Sequence, residues 1–500
     1  MNLSAYFLAP VLIVYTLIMM ALAVYILNML YLAAIGLMRK NQLQEDKGDA
    51  LHNLPAVTVQ LPIFNERYVV ERLLDACAAL DYPRELLEIQ ALDDSTDDTT
   101  GIVSRTVSRL QADGLNVVHI HRADREGFKA GALENGLAIA RGEFIAIFDA
   151  DFVPPHDFLR RILPHFDHER VAFVQARWGH LNRDYSLLTR LQSLSLDAHF
   201  AIDQLVRSRK DFVFNFNGTA GVWRKSAILD AGGWRADTLT EDMDLSYRVF
   251  LRGWTARYAS EVEAPAELPV SITAYRRQQY RWARGMLECA IKYIPVIWQS
   301  DFSFARKVHA TLHLTGYLFH PLTVALILIY PLLLFLSSQH PDLLKPAGIG
   351  LLINLFALVP VFYFSVGQYL LRGRWLHFLP LILLMTMLAS GMALNTVRAV
   401  FQILQKRVVP FERTPKFGIT HRAQSWRGSH YYVKVEPLIL LEILLGAFNL
   451  FTAWFAFQLG YYLLMIYAFI FALGLLYCSG LTLTQAFSTR ISPDPKPGSA

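Results

Sequence analysis

Residues 1–38 contain no Asp, Glu, Lys or Arg, and uncharged runs return at 308–341, 347–371, 375–397 and 443–489. These runs constrain the fold more than any other feature. A helix crosses a bilayer core with about 20 apolar residues, so the first run is long enough to span. A secretory signal peptide is the alternative. The segment lacks a positive n-region, however, and its apolar part exceeds the roughly 7–15 residues of such signals, so it reads as an uncleaved anchor. Arg39 and Lys40 follow it directly and place its C-terminal end in the cytoplasm. The last run is long enough for two spans joined near Gln458-Leu459-Gly460.

Counting every run as a span gives six and puts 401–436 outside. That segment carries Lys406, Arg407, Arg413, Lys416, Arg422, Arg427 and Lys434 against only Glu412 and Glu436, which the positive-inside rule opposes. The simplest repair makes 375–405 a helix lying in the interface. Pro380, the small patch Ala389-Ser390-Gly391, Asn395, Arg398 and Gln402 suit packing against protein better than facing lipid. Five spans then remain. The N-terminus is outside and both basic segments and the C-terminus are inside. The expected organisation is an anchor at 1–40, a cytoplasmic domain at 41–307, two spans within 308–371, an interfacial helix and loop at 372–436, two spans within 437–489 and a disordered tail at 490–500. The compartment expected for this multi-pass protein is a bacterial inner membrane.

Composition agrees with this division. The chain has 500 residues, 54% hydrophobic and 18% charged, against roughly 25% charged in soluble domains. The net charge of +5 is mild for this length and does not point to a nucleic-acid partner. Cys77, Cys289 and Cys478 are far apart and form no metal-type spacing.

Between 41 and 307 short apolar runs alternate with helical spacing. Residues 56–61 (AVTVQL) read as a buried strand ended by Pro62, 87–92 as a second strand ending on Asp93-Asp94-Ser95, 116–121 as a third, and 143–148 as a fourth ending on Asp149-Ala150-Asp151. Helices are expected at 71–80, 99–110 and 129–140. This alternation predicts an α/β fold with a doubly wound, mostly parallel sheet, inserted between transmembrane helices. In such sheets ligands sit beyond the carboxyl ends of the strands, where both Asp pairs fall.

Asp149 and Asp151 place two hard oxygen donors at one strand tip, a set suited to Mg²⁺ or Mn²⁺ with substrate phosphates. Taken alone, the triplet also fits a solvated turn. Asp97 or Asp98 suits capping of the next helix. Lys129 at a helix start suits a diphosphate, or the surface. Thr240-Glu241-Asp242 suits a helix N-terminus or a general base at a pocket mouth. Gln278, Arg281 and Trp282 share one helical face; Arg suits phosphate and Trp a sugar ring. Neighbouring Arg276, Arg277 and Arg284 could instead meet anionic headgroups.

In order, the chain carries Pro62-Ile63-Phe64-Asn65-Glu66, Asp93-Asp94-Ser95, Lys129-Ala130-Gly131, Asp149-Ala150-Asp151, Thr240-Glu241-Asp242 and Gln278-x-x-Arg281-Trp282. Together these resemble the membrane-embedded, processive, inverting family 2 glycosyltransferases, nearest the cellulose-synthase-like glucan and mannan synthases. Phe411-Glu412-Arg413-Thr414-Pro415-Lys416 resembles their cytoplasmic gating loop, F-x-V-T-x-K, with Arg413 in place of Val. The resemblance implies a GT-A domain using a nucleotide-sugar donor, UDP-glucose favoured and GDP-mannose the alternative. It implies Pro62, Asn65 and Glu66 in the donor site, Asp93 and Asp94 on the nucleoside, and Lys129, Gln278 and Arg281 on the diphosphate. Asp149 and Asp151 would position Mg²⁺ or Mn²⁺. Asp242, beside Glu241, would be the base, Trp282 would stack on the acceptor sugar, and Thr414 and Lys416 would close over the nucleotide.

The implied partners are the donor, a growing glycan or lipid acceptor, the bilayer and accessory subunits, with no nucleic acid. Asn354, Gln368, Trp454, Tyr461 and Tyr462 could line a glycan path or pack between helices. A single transfer to a lipid acceptor and an inactive scaffold are the competing readings. No cyclic-dinucleotide receptor domain fits after Thr489, so activation by that messenger is not expected.

Overall fold

The computed structural model describes residues 3–38, 53–339, 349–407, 409, 412–426 and 436–491. Arg39, Lys40, Phe411, Arg427, Lys434 and most of the expected tail, 492–500, lie outside them. The long helix α1 (Leu3–Met38) precedes an α/β domain. Its elements are β1 (Val57–Ile63), α2 (Val70–Ala78), β2 (Leu87–Asp93), α3 (Thr99–Ala112), β3 (Val117–His121), α4 (Phe128–Ile139), β4 (Phe144–Ile147), α5 (Phe158–Ile162), β5 (Val171–His180), α6 (Leu187–Ala198), α7 (Leu205–Arg209), β6 (Gly221–Arg224), α8 (Lys225–Asp230), α9 (Glu241–Leu251) and β7 (Thr255–Ala266).

The sheet order is β3-β2-β1-β4-β6-β5-β7. β1, β2, β3 and β4 run parallel, and β6 is antiparallel to both of its neighbours. This is the mostly parallel, doubly wound sheet that the alternation predicts. Its central strands are covered on both faces: every residue of β2 is buried, and the polar Thr58, Gln60, Glu88 and Gln90 on β1 and β2 are buried with the apolar ones.

Pro62 does not end β1, contrary to the expectation; the strand continues to Ile63, with Pro62 opposite Leu92. The reason is local. The Gln60 carbonyl accepts the Phe148 N–H on the β4 side, so two residues on, the Pro62 nitrogen faces that same side. Pairing with β4 has already stopped at Gln60, and no ladder bond is lost.

After the sheet come α10 (Ile272–Gln299), α11 (Phe304–Leu314), α12 (Phe319–Gln339), α13 (Ile349–Arg372), α14 (Leu379–Leu404), α15 (Leu438–Gln458) and α16 (Tyr462–Ile491). The uncharged run that begins at Val308 is not one span. Its first residues form α11, whose Ala310 and Leu314 lie in the core of the α/β domain and whose His313 Nδ1 meets the Tyr247 hydroxyl at 2.8 Å. The run breaks after Leu314, and α12 follows.

Among the described residues, five stretches are long and apolar enough to cross a membrane: Ala9–Met38, Gly316–Gln339, Leu376–Leu404, Leu438–Gln458 and Tyr462–Phe487. The third is the segment expected to lie in the interface. It is one continuous helix whose small and polar face is buried: Ser390, Asn395 and Thr396 are buried, and Asn395 Nδ2 donates to the Arg276 carbonyl at 2.8 Å. α15 and α16 are joined at Gly460, whose φ of +77° suits the expected turn. Residues 490 and 491, expected in the tail, continue α16.

Candidate active site

Parallel β1, β2, β3 and β4 bring their carboxyl ends to one edge. Just past β1, Asn65 adopts φ +55°. Its backbone N–H donates to Ser95 Oγ at 2.9 Å, and its Oδ1 accepts the Thr96 N–H at 2.8 Å. The Pro62–Glu66 and Asp93–Ser95 motifs are therefore stitched together. Asp93 is fully buried. Burial works against its charge, but hydrogen bonds from His119, Ser95 and Thr100 outweigh it and hold the carboxyl below the usual range.

Asp94 is engaged otherwise than expected. Arg122 grips it in a two-point pair, Nε to Oδ1 at 2.8 Å and Nη2 to Oδ2 at 2.6 Å. The same guanidinium holds the Glu126 and Phe128 carbonyls, so Asp94 anchors the loop between β3 and α4 as the structure stands. Asp97 takes the capping role, its Oδ1 accepting the Thr99 N–H at 2.9 Å.

The second acidic group lies at the β4 tip. Lys129, on the first turn of α4, points its ammonium at Asp149 Oδ1 (2.6 Å), the Gly218 carbonyl (2.8 Å) and Glu241 Oε1 (3.5 Å). Burial alone would lower the lysine, but Asp149, Glu241 and Asp242 outweigh it and keep it above the usual range. Asp242, on the first turn of α9, is enclosed. Burial first, then repulsion from Glu241, pushes its carboxyl up to about 7. Gly218 allows this approach. A Cβ there would stand 3.2 Å from Asp242 Oδ2 and 3.4 Å from Lys129 Nζ, at a φ of +79°.

The segment 412–426 closes over the same edge. Lys416 forms an ion pair with Asp151, and Arg413 pairs with Glu66 at 3.0 Å. Burial pushes the Glu66 carboxyl up to about 8, against the pull of Arg413 and Lys416. The Phe417 and Ile419 N–H groups both donate to Glu267 Oε1, at 3.2 and 2.9 Å. Thr414 is buried. The loop is thus docked, with Arg413 making a charge contact that the Val of the resembled pattern could not.

On α10, Gln278, Arg281 and Trp282 are half-buried on one face. The Trp282 ring lies 6.4 Å from Trp178, which in turn packs on Phe200 and Phe152. The flanking arginines find partners within the protein. Arg276 is buried against Glu442 of α15, Nη2 to Oε2 at 2.8 Å. Arg277 pairs with Glu412, and Arg284 with Glu288 and the Arg407 carbonyl.

The structure thus gathers Lys129, Asp149, Glu241 and Asp242 into one cluster and ties Glu66 and Asp151 to the loop beside it. Gln368 packs rather than lining a path, donating to Asp197 at 3.0 Å, and Tyr461 bonds Ser337. Trp454 and Tyr462 are exposed. Sequence reasoning missed His119, His121 and Arg122, which meet the first Asp pair. The alternation His119-x-His121 at a strand end was the available signal, since it puts both rings on one face.

The chain matches glycosyl transferase family group 2 over residues 144–394 and glycosyl transferase family 2 over residues 58–228. It is 40% identical over 307 residues to glucomannan 4-beta-mannosyltransferase 2 of Arabidopsis thaliana, covering 58% of this chain and 57% of that protein. It is also 40% identical over 295 residues to glucomannan 4-beta-mannosyltransferase 1 of Oryza sativa subsp. japonica, covering 55% and 56%. The chain therefore spans little more than half the length of these curated relatives. Both are plant proteins, so the expected bacterial inner membrane draws no support from them. Among solved structures, the mannosyltransferase PcManGT from Pyrobaculum calidifontis, in complex with GDP-Man and Mn2+, aligns with a TM-score of 0.48 at 20% identity over 79% of this chain and all of its own.

Proposed function

The chain belongs to glycosyl transferase family group 2, and from that premise we propose that it is an inverting hexosyltransferase that builds a β-linked glycan from a nucleotide-diphospho-sugar. The names of the relatives favour a mannosyl donor, hence GDP-mannose over the UDP-glucose favoured from sequence alone. The observation that carries the reading is Asp242. It is a half-buried carboxyl raised to about 7 beside Glu241 and Lys129.

A base poised near the working pH suits removal of a proton from an acceptor hydroxyl. The acceptor oxygen attacks the anomeric carbon from the side opposite the diphosphate. The bond to the leaving phosphate oxygen breaks, the configuration inverts, and the hydroxyl proton passes to Asp242. Negative charge develops on the departing nucleoside diphosphate. Lys129 and Arg281 are the cations within this face of the domain suited to meet it.

Asp149 and Asp151 offer hard oxygens and are at present balanced by the ammonium groups of Lys129 and Lys416, a donor set that fits Mg²⁺ or Mn²⁺. Such an ion supplies positive charge to the diphosphate when bound. Trp282 offers a flat apolar face to the acceptor sugar. The docked 412–426 segment keeps water from the donor.

The product grows at the cytoplasmic face and passes across the bilayer beside α12–α16. Incubating purified protein with a panel of nucleotide sugars, with size and linkage analysis of the product, tests this. Long β-linked chains support it. A single glycolipid refutes processivity, and no transfer from any donor refutes the enzyme.

A further inference from the structure

A buried amide lies behind the acidic cluster. Gln175, on β5, is fully buried. Its Oε1 accepts the Asn217 N–H at 2.8 Å. Its Nε2 faces the Ala176, Thr219 and Ala220 carbonyls at 2.9, 3.1 and 2.9 Å. Turning the amide over would set Nε2 against an N–H and Oε1 against three carbonyls, so its orientation follows from its neighbours. Gln175 therefore brackets Gly218 from both sides.

The bracketed backbone is not in a conformation that it prefers. Gly218 has φ +79° and Ala220 φ +55°, and a left-handed alanine persists only where its surroundings impose it. Two bonds from this segment reach the cluster. The Gly218 carbonyl accepts Lys129 Nζ at 2.8 Å, and Thr219 Oγ1 accepts the Asp149 N–H at 2.8 Å.

We propose that Gln175 is a positioning residue for the transfer, holding 217–220 so that Gly218 and Thr219 set Lys129 and Asp149 in place for the donor's diphosphate. The inference rests on the nucleotide-sugar reading above. An amide suits this place because one end of it offers both an acceptor and two hydrogens. A carboxylate would meet carbonyl lone pairs, and an apolar side chain would take the acceptor from the Asn217 N–H. The segment also has other ties. The Phe216 N–H donates to Ser246 Oγ at 2.9 Å, and Gln204 Nε2 donates to Asn217 Oδ1 at 2.7 Å. Loss of the Gln175 amide should therefore loosen the segment without unfolding the sheet.

The experiment compares Gln175→Met, close in size but without the amide, with the unaltered full chain. Calorimetry in Mn²⁺ gives the affinities for GDP and GMP, with UDP and UMP alongside, and turnover is measured with the best donor of the panel. The preference for diphosphate over monophosphate should fall by about tenfold, the scale of one hydrogen bond to a charged group. Turnover should fall by about 10²-fold, as for a small misplacement of reacting groups, while monophosphate affinity stays within about twofold. A purely structural role would lower the melting temperature and leave the preference intact. An unchanged preference thus overturns the inference, whether both affinities fall together or neither falls. So does absence of the preference from the unaltered chain.

In a Lys129→Met background the same substitution should cost no more than about threefold, because one of the two groups that it places is already gone; an undiminished loss there overturns the inference as well. If Gln175→Met does not fold, Gln175→Glu, equal in size but with a carboxyl facing the three carbonyls, is read by the same preference. Binding of none of the four nucleotides by the unaltered chain would instead overturn the transferase reading itself.

Discussion

Asp242→Asn separates function from stability, because the proposed base is held where its charge is costly. Its carboxyl rises from the ordinary 3.8 to about 7. At 1.36 kcal/mol per unit, that is at most about 4 kcal/mol of folding free energy lost to ionisation. The sign follows from linkage. A carboxyl whose folded value is raised binds more protons folded than unfolded, so stability falls as pH rises from about 4 to about 7 and is level above that. Asparagine cannot ionise and escapes this loss. Lys129 keeps Asp149 and Glu241 as partners, so removing one negative neighbour should not leave it alone.

The variant should therefore be more stable than the original chain at pH 8 by about 2–4 kcal/mol. At roughly 2–4 °C per kcal/mol for a domain of this size, the melting temperature rises by several degrees. Near pH 4 the difference should vanish. Turnover should be abolished at every pH while nucleotide binding persists, and the original chain's turnover should rise with pH through about 7 as the base ionises. Thermal unfolding in detergent at pH 4 and pH 8, with turnover across that range, measures all of this. Destabilisation of Asp242→Asn at pH 8, or residual activity near that of the original chain, would refute the reasoning.

Three further outcomes follow from other contacts. Turnover should require Mg²⁺ or Mn²⁺; full activity in excess chelator would remove the metal role from Asp149 and Asp151. Glu442→Gln should destabilise the chain by roughly 3–5 kcal/mol, since it leaves the buried Arg276 without its counter-charge, whereas the paired change Arg276→Met with Glu442→Leu should recover most of that loss in thermal unfolding. Gln424→Cys should be protected from an impermeant thiol reagent in intact cells; labelling from outside would place the 412–426 segment on the far side and restore a six-span count.

The parallel sheet was legible because each strand is a short apolar run closed by a polar cluster, a pattern fixed by local sequence. Asp97 at the start of α3 was legible for the same reason, since capping involves residues two positions apart. Pro62 was misjudged because its meaning depends on which side of β1 has already lost its partner strand, and that is set by β4, more than eighty residues on. The boundary near 307 was misplaced because absence of charge does not distinguish lipid from a protein core. Residues 308–314 are uncharged, yet Ala310 and Leu314 are buried in the core of the α/β domain, and the Ala310 carbonyl meets the Tyr247 hydroxyl of α9.

The site itself shows a sharper limit. Asp149 and Asp151 sit one residue apart and read from the sequence as equals, yet opposite ends of the chain neutralise them. Lys129 lies 20 residues before Asp149, and Lys416 lies 265 residues after Asp151. Both aspartates lie past the end of β4, in a turn, where no strand alternation fixes their direction; one carboxylate meets the domain's own helix and the other meets the loop. A motif written as Asp-x-Asp names the donors of charge but not the cations that hold them in the folded chain. On the proposed metal role, an ion at Asp151 would compete with the Lys416 ammonium, and that contact is one of those that fasten the 412–426 segment over the site.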